Sequence, residues 1–160
     1  MLTALWQWLY DVPLIGAVRD SPFAFPILEC VHLYSMVFLI AMVVIFDLRL
    51  MGVAWANQGP ASLARFARQV LTWIWVPLLI NAATGTLLFG TMAPDYANNW
   101  AFQTKIALLA GGVASHLAML VAVARWNDDA VGGAVTKILS SAAVLVWPGV
   151  ILASRWIAYA

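Results

Sequence analysis

The sequence predicts an all-α fold, a four-transmembrane-helix antiparallel bundle with a short interfacial helix at its N-terminus. Three observations carry this. Hydrophobic residues fill 64% of the 160 positions and charged residues 9%, against about 45–50% and about 25% in a soluble domain. Mean hydropathy is +0.91, so there is more apolar surface than one core can hide, and the remainder faces lipid. Four stretches approach the ~20 apolar residues that a helix needs to cross hydrocarbon with its backbone polar groups satisfied internally. Residues 1–160 are read as a single integral membrane domain.

The elements follow in chain order. Leu2, Leu5, Trp6 and Leu9 recur at helical spacing, and Trp6, Trp8 and Tyr10 suit the headgroup level, so residues 2–10 read as a helix lying in the interface or packed on its own bundle. Asp11-Val12-Pro13 interrupts the apolar run and no cationic segment precedes it, which argues against a cleaved signal peptide. The first span covers residues 22–46 and contains Glu29 and His32; the second covers 70–90, with Pro77 and Asn81 inside. The third, 102–124, has Lys105 near one end and carries His116; the fourth, 138–157, contains Pro148 and reaches Arg155. Each interior proline removes an amide donor, so kinks are expected at Pro77 and Pro148. Polar or turn-prone connections join the spans at Asn57-Gln58-Gly59-Pro60, at Ala93-Pro94-Asp95-Tyr96, and at Asn127-Asp128-Asp129 followed by Gly132-Gly133.

Charge and cysteine content remove several function classes. A net charge of +1 offers no basic face, which excludes nucleic acid as a main partner. The single cysteine, Cys30, excludes an intrachain disulfide framework, a cysteine-rich zinc site and a protein-ligated iron–sulfur cluster. Arg49, Arg65, Arg68, Arg125 and Lys137 fall on one side of the bundle, and Arg19, Lys105 and Arg155 on the other. The bias places the first group in the cytoplasm and both termini outside, periplasmic for a bacterial inner membrane.

Titratable groups at membrane depth cost roughly 2.5–3.5 kcal/mol each, so each needs a partner or a function. With these boundaries three qualify: Glu29, His32 and His116. Counted from Phe23 and from Lys105, His32 and His116 lie about 14 Å and about 16 Å down their spans. Two imidazoles at similar depth on parallel, diagonal helices suit the two axial positions of one haem b. Gly112 and its small neighbours leave room for a flat macrocycle or, equally, for helix packing. Met36 and Met119 supply soft packing one turn beyond each histidine. Glu29 is placed to orient the His32 ring, to relay protons, or to bond another helix as a neutral acid. Lys105, Arg155 and Arg19 are the cations able to meet haem propionates, or to anchor their helices at the headgroups. The bland alternative for each histidine is a hydrogen bond to a neighbouring helix. Copper on His32 with Met36 is the alternative metal. A di-iron site lacks carboxylates, and no hydrolase or kinase motif is present. Asp47 and Arg49 read as interface residues paired with each other or a neighbour, and Asn81 as an interhelical hydrogen bond.

The pattern Glu29-x-x-His32, Asp47-Leu48-Arg49-Leu50-x-Gly52, Gly85-x-x-Leu88-Phe89 and Asn99-x-x-Phe102-x-x-Lys105 resembles a group of small bacterial four-helix membrane proteins of uncharacterised function. More distantly it resembles the copper-resistance D membrane proteins and the cytochrome b-type bundles. The likeness spans residues 20–125. The near group implies the fold and the bacterial inner membrane; the distant ones imply copper handling or electron transfer. The leading expectation is a haem b electron-transfer subunit with bis-histidine ligation. It would lie within an oligomer or larger membrane complex and pass electrons between quinol and an outer-side partner. Copper, proton or small-solute transport is the alternative, and a purely structural subunit the second.

Overall fold

The computed structural model describes residues 2–55, 57, 60–124 and 133–160. It is all-α: α1 (Leu2–Tyr10), α2 (Pro13–Asp20), α3 (Ala24–Leu50), α4 (Pro60–Trp73), α5 (Trp75–Gly90), α6 (Ala93–Tyr96), α7 (Trp100–Ala124) and α8 (Ala134–Trp156), closed by a 3-10 turn over Ile157–Tyr159. Four helical stretches are long and apolar enough to cross a membrane: Ala24–Leu50, Leu63–Gly90, Trp100–Val123 and Thr136–Tyr159. The protein is a multi-pass membrane protein. Phe38, Trp73, Leu79 and Leu145, among others, point outward where a soluble protein would place polar groups. Arg125 and the loop through Asn127, Asp128 and Asp129 lie outside the described residues, as do Gln58 and Gly59.

Local chemistry explains where helices begin and stop. Ser21 Oγ accepts from the amides of Phe23 (3.4 Å) and Ala24 (3.1 Å) at the start of α3, the office of a helix-capping hydroxyl. Asn99 does the same for α7, its Oδ1 accepting from Ala101 (2.9 Å) and Phe102 (3.1 Å). The Asn99 amide then donates to the carbonyls of Ile157 (3.1 Å) and Ala160 (3.2 Å), tying the start of α7 to the end of the chain. At the far end of α3, Gly52 adopts φ +77°, its amide reaches Arg49 O (3.0 Å) and the Val53 amide reaches Leu48 O (2.9 Å). That is a Schellman stop, and it accounts for Gly52 in the Asp-Leu-Arg-Leu-x-Gly stretch.

The spans start and end elsewhere than the hydropathy pattern predicts. The second crossing begins near Leu63 rather than at residue 70. Arg65 and Arg68 lie on the exposed face of α4, whose opposite face buries Ala64, Ala67 and Leu71, so two cations do not mark the end of the helix. That crossing is interrupted at Ile74 between α4 and α5, although the backbone there stays helical (φ −61°, ψ −24°) and the Ile74 amide still reaches Val70 O at 2.9 Å. Pro77 has no amide to give the Trp73 carbonyl four residues back, and its ring crowds that carbonyl. Pro148, by contrast, sits inside an unbroken α8. The short α2 was not foreseen. It buries Ile15 and Val18, and Gly90 admits Ile15: a Cβ there would fall 2.5 Å from Ile15 Cδ1. The N-terminal helix both packs and faces out, with Trp6 edge-on to Phe89 at 5.5 Å while Leu5 and Trp8 stay exposed.

The interruption at Ile74 sets the shape of the interior. Below it α4 packs on both α7 and α3, and above it α5 packs on α3; α8 packs against both α3 and α7. Phe46, Leu50, Ala67, Leu71, Met119 and Val123 form a buried cluster at the Arg49 end, and Leu39, Val43, Ile74 and Trp147 a second one near mid-span. Towards the Ala24 end, α5 has moved to α3 and away from α7, with the stacked rings of Phe89 and Phe102 (4.5 Å) bridging the gap. A cavity opens there.

Candidate functional site

The cavity at the Ala24 end holds about 250 Å³ and is lined by residues of α3, α5, α6, α7 and α8, among them Glu29, His32, Met36, Gly85, Tyr96 and Lys105. Four of the residues singled out in the sequence, Glu29, His32, Met36 and Lys105, therefore share one space. His32 is held firmly. Its Nδ1 lies 2.9 Å from Thr84 Oγ1, and the Thr84 hydroxyl spends its proton on the Ile80 carbonyl at 2.7 Å. The hydroxyl can then only accept from the ring, so Nδ1 carries the hydrogen and the neutral imidazole keeps its lone pair on Nε2. The main chain of His32 is held as well. Asn81 Nδ2 donates to the His32 carbonyl (3.1 Å) and to Ser35 Oγ (3.2 Å), and Ser35 Oγ donates to the same carbonyl (2.9 Å). Asn81 is the interhelical bond its position in an apolar span suggests.

Gly85 is the residue that sequence reasoning missed in this site. A Cβ there would stand 3.0 Å from His32 Cε1, so the imidazole packs directly on the α5 backbone. Only the Gly85-x-x-Leu88-Phe89 pattern hinted at it. Lys105 is half-buried, with no hydrogen bond or ion pair among the described residues, and Glu29 is likewise unpaired there. The site thus presents a lone pair, a cation and a carboxylate to one small volume walled by Phe25, Phe89 and Phe102.

His116 is not part of it. It lines a second, smaller cavity of about 20 Å³ with Asp47, Gly112, Ser115 and Met119, at the level of Val43 and Phe46. His32 lies eight residues into α3 and His116 sixteen residues into α7, so the two differ in depth by about 12 Å. The matched depths came from starting the third span beside Lys105, whereas Asn99 starts α7 at Trp100. One iron needs both imidazoles facing each other across a single atom, and these face different cavities. The residues of one chain do not fit a bis-histidine haem.

The other assignments are redistributed too. Gly112 makes room for Trp147, whose Cζ2 would lie 3.1 Å from a Cβ there, and not for a macrocycle. Arg19 bonds the Tyr10 carbonyl (3.2 Å), pairs with Asp20 (3.4 Å) and lies over the Tyr10 ring. Arg155 donates to Tyr159 Oη (2.8 Å). Neither lines the Ala24-end cavity. Cys30 is exposed, and among the described residues no group of three His, Cys, Asp or Glu side chains is placed to hold a metal ion. Arg49, 5% exposed, donates to the Trp55 carbonyl (2.6 Å) and lies over the Phe66 ring, while Asp47 faces the cavity; two positions apart on a helix, they point to different sides.

A helical membrane bundle with a half-polar cavity open at one end defines a class, not an activity. The chain belongs to a family of unknown function, DUF6644, whose family model matches residues 15–160. No curated protein and no solved structure matches it, so nothing named ties it to the copper-resistance D proteins or to cytochrome b.

Proposed function

We propose that the protein binds a small solute bearing an anionic or hydrogen-bond-donating group in the Ala24-end cavity, and serves its passage through the membrane. The observation that carries this reading is the His32 ring, fixed by Thr84 with its Nε2 lone pair free, in the same cavity as the unpaired Lys105. A monocarboxylate suits this pair: Lys105 meets its charge, the aromatic wall takes its apolar body, and a protonated or hydroxylated group finds the imidazole. The Lys and Arg distribution supports a bacterial inner-membrane orientation in which this mouth and both termini face the periplasm.

The test is a thermal-shift series with monocarboxylates of increasing chain length on the purified protein. A ligand at a hundred times its Kd stabilises by about 2.7 kcal/mol. A rise in Tm that disappears in Lys105→Met and in His32→Leu supports the reading; an equal rise in all three chains refutes it.

A second reading has its own support. Haem b with His32 as its one axial ligand from this chain, and a propionate on Lys105, would use the same two groups. An absorption spectrum of protein purified from haem-replete membranes separates the two, since a Soret band lost in His32→Ala favours haem.

A further inference from the structure

The small cavity at the Arg49 end is lined by buried polar atoms that the chain itself leaves unanswered. Asp47 Oδ2 and His116 Nε2 are buried without a hydrogen-bond partner, and the Ser140 hydroxyl, also buried, lies beside the Asp47 carboxyl as a donor to it. Asp47 is 2% exposed and Ser140 fully buried. Leaving such atoms bare costs about 1–3 kcal/mol each, and more for a carboxylate. The cavity that Asp47 and His116 line holds about 20 Å³, above the roughly 10–15 Å³ that admits one water. A water needs two to four polar partners, and the cavity wall supplies Asp47, His116 and Ser115.

We propose that this cavity is a built hydration site, in which one water joins the Asp47 carboxyl to His116 Nε2 and makes the two a proton-exchange pair within the Arg49 half of the bundle. The step balances without any outside reagent. A proton leaving the carboxyl passes to the water as the water gives one of its own to Nε2, and the acid–imidazole pair becomes a carboxylate–imidazolium pair of the same net charge. Either form keeps the site neutral overall, which is what burial demands. Among the described residues no other titratable group lines the cavity: its remaining wall is Val43, Phe46, Ile74, Gly112, Met119, Leu139, Ala143 and Trp147, with Ser115. Arg49 on the same helix turns to the Trp55 carbonyl and the Phe66 ring. The site stands whatever the Ala24-end cavity binds.

Ala143→Val, made in the full chain, tests it. Filling a dry void raises Tm, whereas displacing a water that satisfies Asp47 and His116 lowers it by several degrees. In an Asp47→Val/His116→Leu background the water has no partners to serve, so the same substitution should lower Tm no further. A rise in the wild-type background, or an equal fall in both backgrounds, overturns the proposal. A spectroscopic readout stands beside this should a variant not fold. Infrared pH-difference spectra of the wild-type protein in lipid should contain a water O–H stretching band that moves in H2¹⁸O and is missing from Asp47→Asn. A wild-type spectrum lacking such a band also overturns it.

Discussion

The two histidines look alike in the sequence, each an isolated imidazole in an apolar span, and their surroundings give them different chemistry. His32 has every main-chain and Nδ1 requirement met by Thr84, Asn81 and Ser35, and keeps one lone pair for a visitor. His116 stands edge-on to Trp75 at 5.5 Å, with Nε2 buried and unanswered. Thr84→Val removes the acceptor that fixes the first ring. We expect a loss of about 0.5–1.5 kcal/mol in stability and, by ¹⁵N NMR of labelled histidine, a mixture of tautomers where the wild-type protein has Nδ1–H alone. Gly85→Ala pushes the same ring by its Cβ, and overpacking of this kind costs about 1–3 kcal/mol; a retained Tm with unchanged ligand shift would show that the ring has room to move. At this scale the residue types that matter were legible, because charge and imidazole are conspicuous among apolar side chains. Asp47 was read as an interface residue for a physical reason: the apolar run was closed at Phe46, one residue short, whereas the helix continues to Leu50 before the Gly52 stop and Asp47 is buried.

At the scale of elements, four crossings were legible from length and hydropathy alone, as were the ends at Gly90 and Ala124, while most of the other ends were not. Ends are decided by single hydrogen bonds, such as those of Ser21 and Asn99, and by one left-handed glycine. Gly52→Ala is the cleanest check on the last of these. Nothing lies within 4 Å of a Cβ at Gly52, so the expected loss of about 1 kcal/mol is backbone strain without steric conflict. Asn99→Ala removes a cap and a clamp together. Its cost should reach the upper part of the roughly 0.5–2 kcal/mol range for caps, and amide exchange should quicken in the Ile157–Tyr159 turn as well as at the start of α7. Proline was half legible. Pro77 falls in the first turn after Ile74 and interrupts its helix without redirecting the backbone there, while Pro148 is accommodated within α8.

Across the whole molecule, the titratable groups singled out at membrane depth divide into two cavities separated along the bundle axis, a larger and a smaller one, with apolar packing between them. The sequence suggested one site because a helix count from the wrong starting residue brought the histidines level. The orientation read from Lys and Arg makes its own prediction: a reporter joined after Ala160 through a flexible linker is active in the periplasm, and cytoplasmic activity would reverse which side feeds the open cavity.

The interruption at Ile74 has a consequence for how the chain is made. With 14 and 16 residues, α4 and α5 measure about 21 Å and about 24 Å, and neither alone spans hydrocarbon about 30 Å thick. The second crossing is also the least apolar of the four. It must leave the insertion machinery as one unit, and while α3 packs against both halves, the α4 half also rests on α7. The α7 shelter is synthesised later. During biogenesis, then, the second crossing waits on the third, and nascent chains truncated before Trp100 should integrate this segment less completely than chains that include α7.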